Sequence, residues 1–421
     1  MKGKNNPRLE YLLLVLLFFS AFIPRVLLST YLKVSGDEIV YISSGVVYID
    51  NIVHGVTRWE DWEINWEHPP LVKYLIGFMV YAFTDNAIKR IPHNEMWIYL
   101  HMKPSDIYED SILFLARFPY TIIGSLTGIV VYFFGKELLN RKLGILASLW
   151  LSFSYLWFYN TIWVQNLEAP ETFFVALAML QFYRGVMKSS PRYITMSSIT
   201  FGLALSCKYP AAFGILAALI WLLILLLSGR FSLSLKSRDQ APLVLSLAAF
   251  IPIIALTFIL VWGWWIIPNG FERTLIHSIN RHRLMGHLQG SSGSLGFQTF
   301  AFYFEAITMY FSFAFLHWPF LQWPLARVQS PEPLFILVGL ITLFVKIIRR
   351  RASSLEYLLI LYFAVPTIIL SAMSSKLTHY ILLVWPPLVL ISSLGLYEVL
   401  RRIGTLLTEL QKSKVPPSPS S

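Results

Sequence analysis

Long apolar runs broken by short polar or basic stretches recur along the chain, among them 11–28, 211–227 and 243–267. Each is long enough as a helix, at ~1.5 Å rise per residue, to cross ~30 Å of hydrocarbon. The pattern predicts an all-α, polytopic helical membrane protein. Lys2, Lys4 and Arg8 put the N-terminus in the cytoplasm by the positive-inside rule, so the first span, 10–29, runs outward. Its apolar core is too long for a signal peptide and no small-residue cleavage pattern follows, so an uncleaved span is expected.

Residues 30–116 hold twelve of the twenty-three acidic residues and are expected to form a first outer loop. Within it, 71–83 is strongly apolar, yet a helix of that length reaches only about 20 Å, too little to span. It is expected to lie at the interface. Spans at 117–135, 143–159, 170–187, 193–207, 210–228 and 242–267 then alternate so that Lys136, Arg141, Lys142, Lys188, Arg192, Arg230, Lys236 and Arg238 all fall inside. A second long outer loop follows at 268–331. Its aromatic, apolar part 297–320 is interrupted by His317 and Pro319 and followed by Pro324. A single crossing there would send Arg349, Arg350, Arg351, Arg401 and Arg402 outside, so this part too is laid along the outer interface. Spans at 332–348, 355–372 and 380–399 bring the expected number to ten, or twelve if both interfacial segments cross. One membrane domain over 1–410 with a disordered tail at 411–421 describes the chain, and no internal repeat of the transporter kind is visible.

Composition agrees with this solvent: 56% of residues are hydrophobic and only 14% charged. The net charge of +11 belongs to short clusters between apolar runs, an ordinary topology signal, so nucleic acid is not expected as a partner. The one cysteine, Cys207, excludes an internal disulfide and a cysteine-based metal site and is read as a packing residue. Aromatic residues make up 16%, with Trp59, Trp62, Trp66, Trp262, Trp264 and Trp265 near the outer boundary, which fits an interfacial belt better than sugar stacking.

The expected topology gathers the unusual polar residues on one face. Asp37 and Glu38 open the first outer loop, His68 and Lys73 lie in its middle, and Arg117 starts the second helix. Gln165, Asn166, Glu168 and Glu171 sit between the third and fourth helices, Lys208 and Tyr209 in the turn between the fifth and sixth, and Lys376, His379 and Tyr380 between the last two. Six sequence-distant segments thus converge. Glu168, Glu171 and Lys208 also lie close to helix interiors, where ionisable groups are costly and usually functional. A carboxylate at Asp37 can act as general base on an acceptor hydroxyl, while Lys and Arg bind a phosphate that leaves carrying negative charge. His68-Pro69-Pro70 fixes the backbone where the interfacial helix begins, and His68 alone is thin evidence for a metal ligand.

Gly36-Asp37-Glu38 after the first span, then His68-Pro69-Pro70-Leu71-Val72-Lys73, Arg117-Phe118-Pro119, Leu167-Glu168-Ala169-Pro170 leading to Phe173-Phe174, and Gly202-Leu203-Ala204 leading to Lys208-Tyr209 come in a definite order. Together they resemble the protein O-mannosyltransferase and aminoarabinose transferase superfamily of GT-C fold glycosyltransferases, over roughly 8–230 with a weaker echo to about 400. The resemblance implies a GT-C fold with Asp37 as catalytic base or acceptor-orienting group, Glu38 as its neighbour and Glu168 as a second acid, where relatives more often carry Asp. It also implies that Lys73, Arg117, His68 and Lys208 hold the donor phosphate. Glu171, Tyr209, Lys376, His379 and Tyr380 complete the candidate set on the acceptor or sugar side. Trp163-Val164-Gln165 replaces the aromatic-basic preface that often precedes the second acid.

The function so implied is inverting transfer of a sugar, mannose-like in class, from a dolichyl-type or undecaprenyl-type phosphate to a hydroxyl on a protein, lipid or glycan acceptor. It would take place on the extracytoplasmic face of the plasma membrane. A monophosphate donor has no diphosphate for a metal to bridge, so no cofactor is required, although a divalent metal is compatible with the chemistry. The alternative is a carrier that flips a lipid-linked sugar, which would distribute its polar residues through the bilayer midplane.

Overall fold

The computed structural model describes residues 7–32, 34, 36–62, 68–85, 110–164, 166–231, 240–269, 332–372 and 378–413. Helix α1, Pro7–Ser29, covers the expected first span and starts on a proline, whose missing N–H costs nothing at a helix start. The stretch after it, expected as loop, is instead helical: α2 occupies Gly36–Val53. Asp37 and Glu38 stand in its first turn, where carboxylates favour the positive end of the helix dipole. Ile39, Ile42 and Val46, at helical spacing, are buried. The acidic count that marks the segment as an outer loop hides this apolar face.

Helix α3, Leu71–Phe83, forms over the expected residues and lies directly on α2. The contact is backbone on backbone, since a Cβ placed on Gly77 would stand 1.9 Å from the carbonyl oxygen of Gly45. Only glycine permits that approach. The Leu71 N–H bonds the Ser206 carbonyl at 3.1 Å, so α3 begins against the turn that carries Lys208.

Helix α4, Asp110–Leu138, starts seven residues ahead of the expected span, which places Arg117 inside the helix rather than at its start. The expected helix 143–159 is divided into α5, Arg141–Phe153, and α6, Tyr155–Asn160. Ser154 between them is extended, with ψ 135°, and its hydroxyl accepts the Trp385 indole N–H at 2.8 Å. Then come α7, Glu168–Met187, α8, Pro191–Leu205, and α9, Ala211–Leu227. The expected single span 242–267 is α10, Ala241–Ala248, and α11, Phe250–Asn269, meeting at a 49° bend. Pro252 explains the bend: it has no N–H for the Ala248 carbonyl, and its ring clashes with that oxygen in a straight helix. Helices α12, Glu332–Ile348, and α13, Ser354–Ala372, a 3-10 segment Thr378–Val384 and α14, Trp385–Ser413, complete the chain. Residues 411–413, expected in the tail, belong to α14; the rest of that tail and most of the second outer loop fall outside the described residues.

Buried side chains of α4, α5 and α7 to α9, with those of α13 and α14, make one large apolar core, and a second cluster seats α2 and α3 against α4. Among the described residues, four helices are long and apolar enough to cross a membrane, five if the bent α10–α11 pair is one span. The protein is an integral, all-helical membrane protein in its described residues. Helix α4 separates two chemically different ends. Lys136, near its C-terminus, pairs with Glu10 at 2.5 Å, whereas Arg117 lies 19 residues earlier. That separation is about 28 Å along the axis, close to the ~30 Å of a hydrocarbon layer.

Candidate functional site

At the Arg117 end of α4, Glu38 of α2 is fully enclosed. Arg117 grips it in a two-pronged pair, Nε to Oε1 at 2.9 Å and Nη2 to Oε2 at 2.6 Å. The Val164 N–H donates to Oε1 at 3.1 Å. The remaining guanidinium nitrogen, Nη1, donates to the carbonyls of Ser29, at 2.7 Å, and Leu32, at 2.9 Å, where α1 ends. Tyr120, one helical step from Arg117, donates to the Val164 carbonyl at 2.8 Å. Four segments, 29–32, 36–38, 117–120 and 164, are therefore tied by charge-assisted bonds inside the protein. Beside the enclosed Glu38, Asp37 is exposed. Two neighbouring carboxylates thus have opposite environments.

Lys73 lies on the buried side of α3. Its ammonium donates to the His68 carbonyl at 3.0 Å and stands 5.4 Å from the centre of the Tyr48 ring. His68 is half-buried, its ring 6.3 Å from that of Tyr41 and nearly parallel to it. Tyr48 continues into an aromatic cluster of Trp62 and Trp262, against which Tyr74 and Tyr209 pack. Tyr209 therefore joins the first-loop helices to α11.

A second ionic group sits where α7 begins and α8 turns into α9. Lys208 makes a buried ion pair with Glu168, and the ring centre of Tyr380 lies 4.4 Å from its ammonium. Burial acts to lower the Lys208 pKa; Glu168, then Tyr380 and Glu171, outweigh it and hold the group above the usual ammonium value. Glu171 is one turn along α7 from Glu168, on the same face, and is fully buried. Neither of its carboxylate oxygens, nor the hydroxyl of neighbouring Thr172, makes a hydrogen bond of ordinary geometry among the described residues; the Lys208 charge and the Ala211 backbone N–H act on the carboxylate.

The structure thus brings Glu38 to Arg117 and Glu168, Glu171 and Tyr380 to Lys208, with the Leu71–Ser206 bond connecting the two neighbourhoods. Arg117, expected to hold a donor phosphate, has its guanidinium committed to Glu38 and to two carbonyls and is sealed from solvent. Lys376, the side chain of His379 and Gln165 lie outside the described residues. The sequence reading passed over Arg25 and Tyr120 and gave Val164 no role of its own. Arg25 carried a visible signal, a lone charge inside the apolar run 11–28; Val164 acts through its backbone and carries none.

Residues 107–262 match the model of a family described as dolichyl-phosphate-mannose-protein mannosyltransferase. Over 150 residues, 35% of this chain and 27% of the relative, the sequence is 25% identical to an uncharacterized protein of Aquifex aeolicus (strain VF5). The fold is shared with ArnT from Cupriavidus metallidurans bound to undecaprenyl phosphate, at TM-score 0.56 and 17% identity, over 91% of this chain and 60% of that one. It is shared also with archaeal oligosaccharyltransferase AglB from Archaeoglobus fulgidus in complex with an inhibitory peptide and a dolichol-phosphate, at TM-score 0.53 and 13% identity, over 96% of this chain and 52% of that one. The chain therefore spans between half and two thirds of the length of these two structures and about a quarter of the Aquifex relative.

Proposed function

We propose, from a chain with the GT-C fold whose residues 107–262 match the mannosyltransferase family model, that this protein is a membrane glycosyltransferase using a polyprenyl-phosphate sugar donor. The observation that carries the reading is the exposed Asp37 beside the enclosed Glu38. A general base must reach its substrate while its own backbone stays put. Glu38, bonded to Arg117 and Val164, holds the first turn of α2, and Asp37 rides on that turn. In this reading Asp37 takes the proton of an acceptor hydroxyl, whose oxygen attacks the anomeric carbon from the side opposite the lipid phosphate. The bond from that carbon to the phosphate oxygen breaks, and the configuration inverts.

The departing phosphate gains negative charge, which cations in a water-poor site stabilise. Lys208 and Lys73 are the basic groups proposed for this, with His68 at the start of α3 beside them. Arg117 supports the site by holding Glu38. Glu168 orients Lys208, and Glu171, Tyr209, Lys376, His379 and Tyr380 are assigned to the sugar or acceptor side. The proposed acceptor is a protein, lipid or glycan hydroxyl, the proposed sugar mannose-like, the proposed location the extracytoplasmic face of the plasma membrane. The proposed chemistry requires no cofactor and is compatible with a divalent metal.

The test is transfer by purified protein in nanodiscs with dolichyl-type and undecaprenyl-type phosphate sugars as donors. Asp37→Asn is expected to lower turnover by about a thousandfold or more, as loss of a general base does, with melting unchanged. Near-normal turnover in that variant removes Asp37 from the role. Sugar-lipid translocation in vesicles without any transfer product points to the carrier reading instead.

A further inference from the structure

A guanidinium in α1 has no part in the transfer just described. Arg25 is wholly buried, and among the described residues no carboxylate forms an ion pair with it. It is held by oxygens: Nε donates to Thr161 Oγ1 at 2.7 Å, Nη1 to the Ala21 carbonyl at 2.8 Å and Nη2 to the Ser152 carbonyl at 2.8 Å. Its centre lies 4.7 Å from that of the Phe158 ring. A charge within an apolar helix is expensive, and one held there by neutral oxygens among the described residues calls for a function.

The partners show which. Ser152 precedes the break between α5 and α6, and Thr161 follows α6, so one side chain spans both ends of the short helix and fixes its angle to α1. Thr161 is wedged against α4 as well: a Cβ on Gly124 would stand 2.4 Å from the Thr161 Cβ. Directly after Thr161 come Val164, whose N–H meets Glu38, and Glu168, which meets Lys208. The 161–168 segment is the covalent link between the two ionic groups of the site, and Arg25 anchors its start.

We propose that Arg25 is a positioning residue that sets the 161–168 segment, so that Val164 caps Glu38 while Glu168 reaches Lys208. The role needs a fork. The three acceptors are taken by three different nitrogens of one plane, and a lysine ammonium, a single point, cannot reproduce that spread. The kinetic part rests on the proposed transfer activity; the structural part does not.

The experiment compares full-length wild type, Arg25→Lys and Thr161→Val in nanodiscs by hydrogen–deuterium exchange and, in parallel, by transfer kinetics. Both variants are expected to speed exchange of the Val164 amide by about tenfold or more while amides of the α12–α13 turn keep their wild-type rates. The kcat is expected to fall by about ten- to a hundredfold, as small misplacements of a catalytic frame do, with donor KM changed by less than about twofold. Unchanged exchange at Val164 in both variants overturns the proposal, as does acceleration spread evenly over all helices, the mark of a merely structural residue. Should Arg25→Lys fail to fold, Thr161→Val decides by the same criteria. If wild type transfers no sugar, the functional reading fails while the exchange data still judge Arg25.

Discussion

The two buried ionic groups of the candidate site, among the described residues, each set glutamate against a basic side chain and differ in how completely they are satisfied. Around Glu38, both carboxylate oxygens and all three guanidinium nitrogens of Arg117 have partners, drawn from α1, α2 and the segment before α7. Around Lys208, one ammonium faces two carboxylates, and Glu171 makes no close hydrogen bond among the described residues, with only the Lys208 charge and the Ala211 backbone N–H acting on it. A saturated pair holds helices together. A group with an excess of acid and unused oxygens keeps capacity for something else to bind, at a cost in stability that a site kept for function tolerates.

Breaking the saturated pair should have the larger effect. Glu38→Ala leaves a buried guanidinium without its counter-ion, and a loss of about 3–5 kcal/mol is expected. Thermal unfolding in detergent measures it, and a melting point equal to wild type would mean that the pair opens to solvent. Arg117→Lys keeps the charge and loses the two-pronged geometry; about 2 kcal/mol is expected from the forfeited charge-assisted bonds, again by melting. Gly77→Ala drives a methyl into the Gly45 carbonyl and should cost about 1–3 kcal/mol, separating α2 from α3.

At the unsaturated group the sign should differ. Glu171→Gln keeps an oxygen that can accept the Ala211 N–H and relieves competition for Lys208, so stability should stay within about 1 kcal/mol of wild type or rise. Turnover should nevertheless fall at least tenfold in the nanodisc assay. A variant that loses stability and keeps its turnover would reverse the contrast. The smallest effect is expected at the opposite end of the bundle, where the buried Glu356 pairs with the partly exposed Lys346 at 2.5 Å and accepts the Ser353 N–H at 2.7 Å. Glu356→Gln keeps an oxygen for that N–H and leaves Lys346 able to turn to solvent, so stability should shift by about 1 kcal/mol or less.

What the sequence could and could not disclose follows from the range of each interaction. Apolar runs and basic breaks are local, so α1, α3 and α7 to α9 were legible, as were the residue types at 37–38, 168–171 and 208. The break at Ser154 was not, because its partner Trp385 is 231 residues away. Helix α2 was hidden because its charges lie in the polar minority of a segment that is otherwise buried. The bend at Pro252 was written in the chain and passed unnoticed inside a long apolar run. Arg117 shows the deepest limit: a phosphate role is what the family resemblance implies for it, and only the fold reveals its two-pronged pair with Glu38, 79 residues earlier.

Helices α1 and α4 are fastened to each other at both extremities, by Arg117 to the Ser29 and Leu32 carbonyls and by Lys136 and Tyr132 to Glu10, at 2.5 Å and 2.6 Å. Two rods pinned twice cannot slide past one another. When the host bilayer thins or thickens, this pair answers hydrophobic mismatch by leaning as a unit. The acid-bearing turn at the tip of α2 is lashed to the same pins and travels with it, so the height of Asp37 relative to the bilayer follows the lean of a single girder.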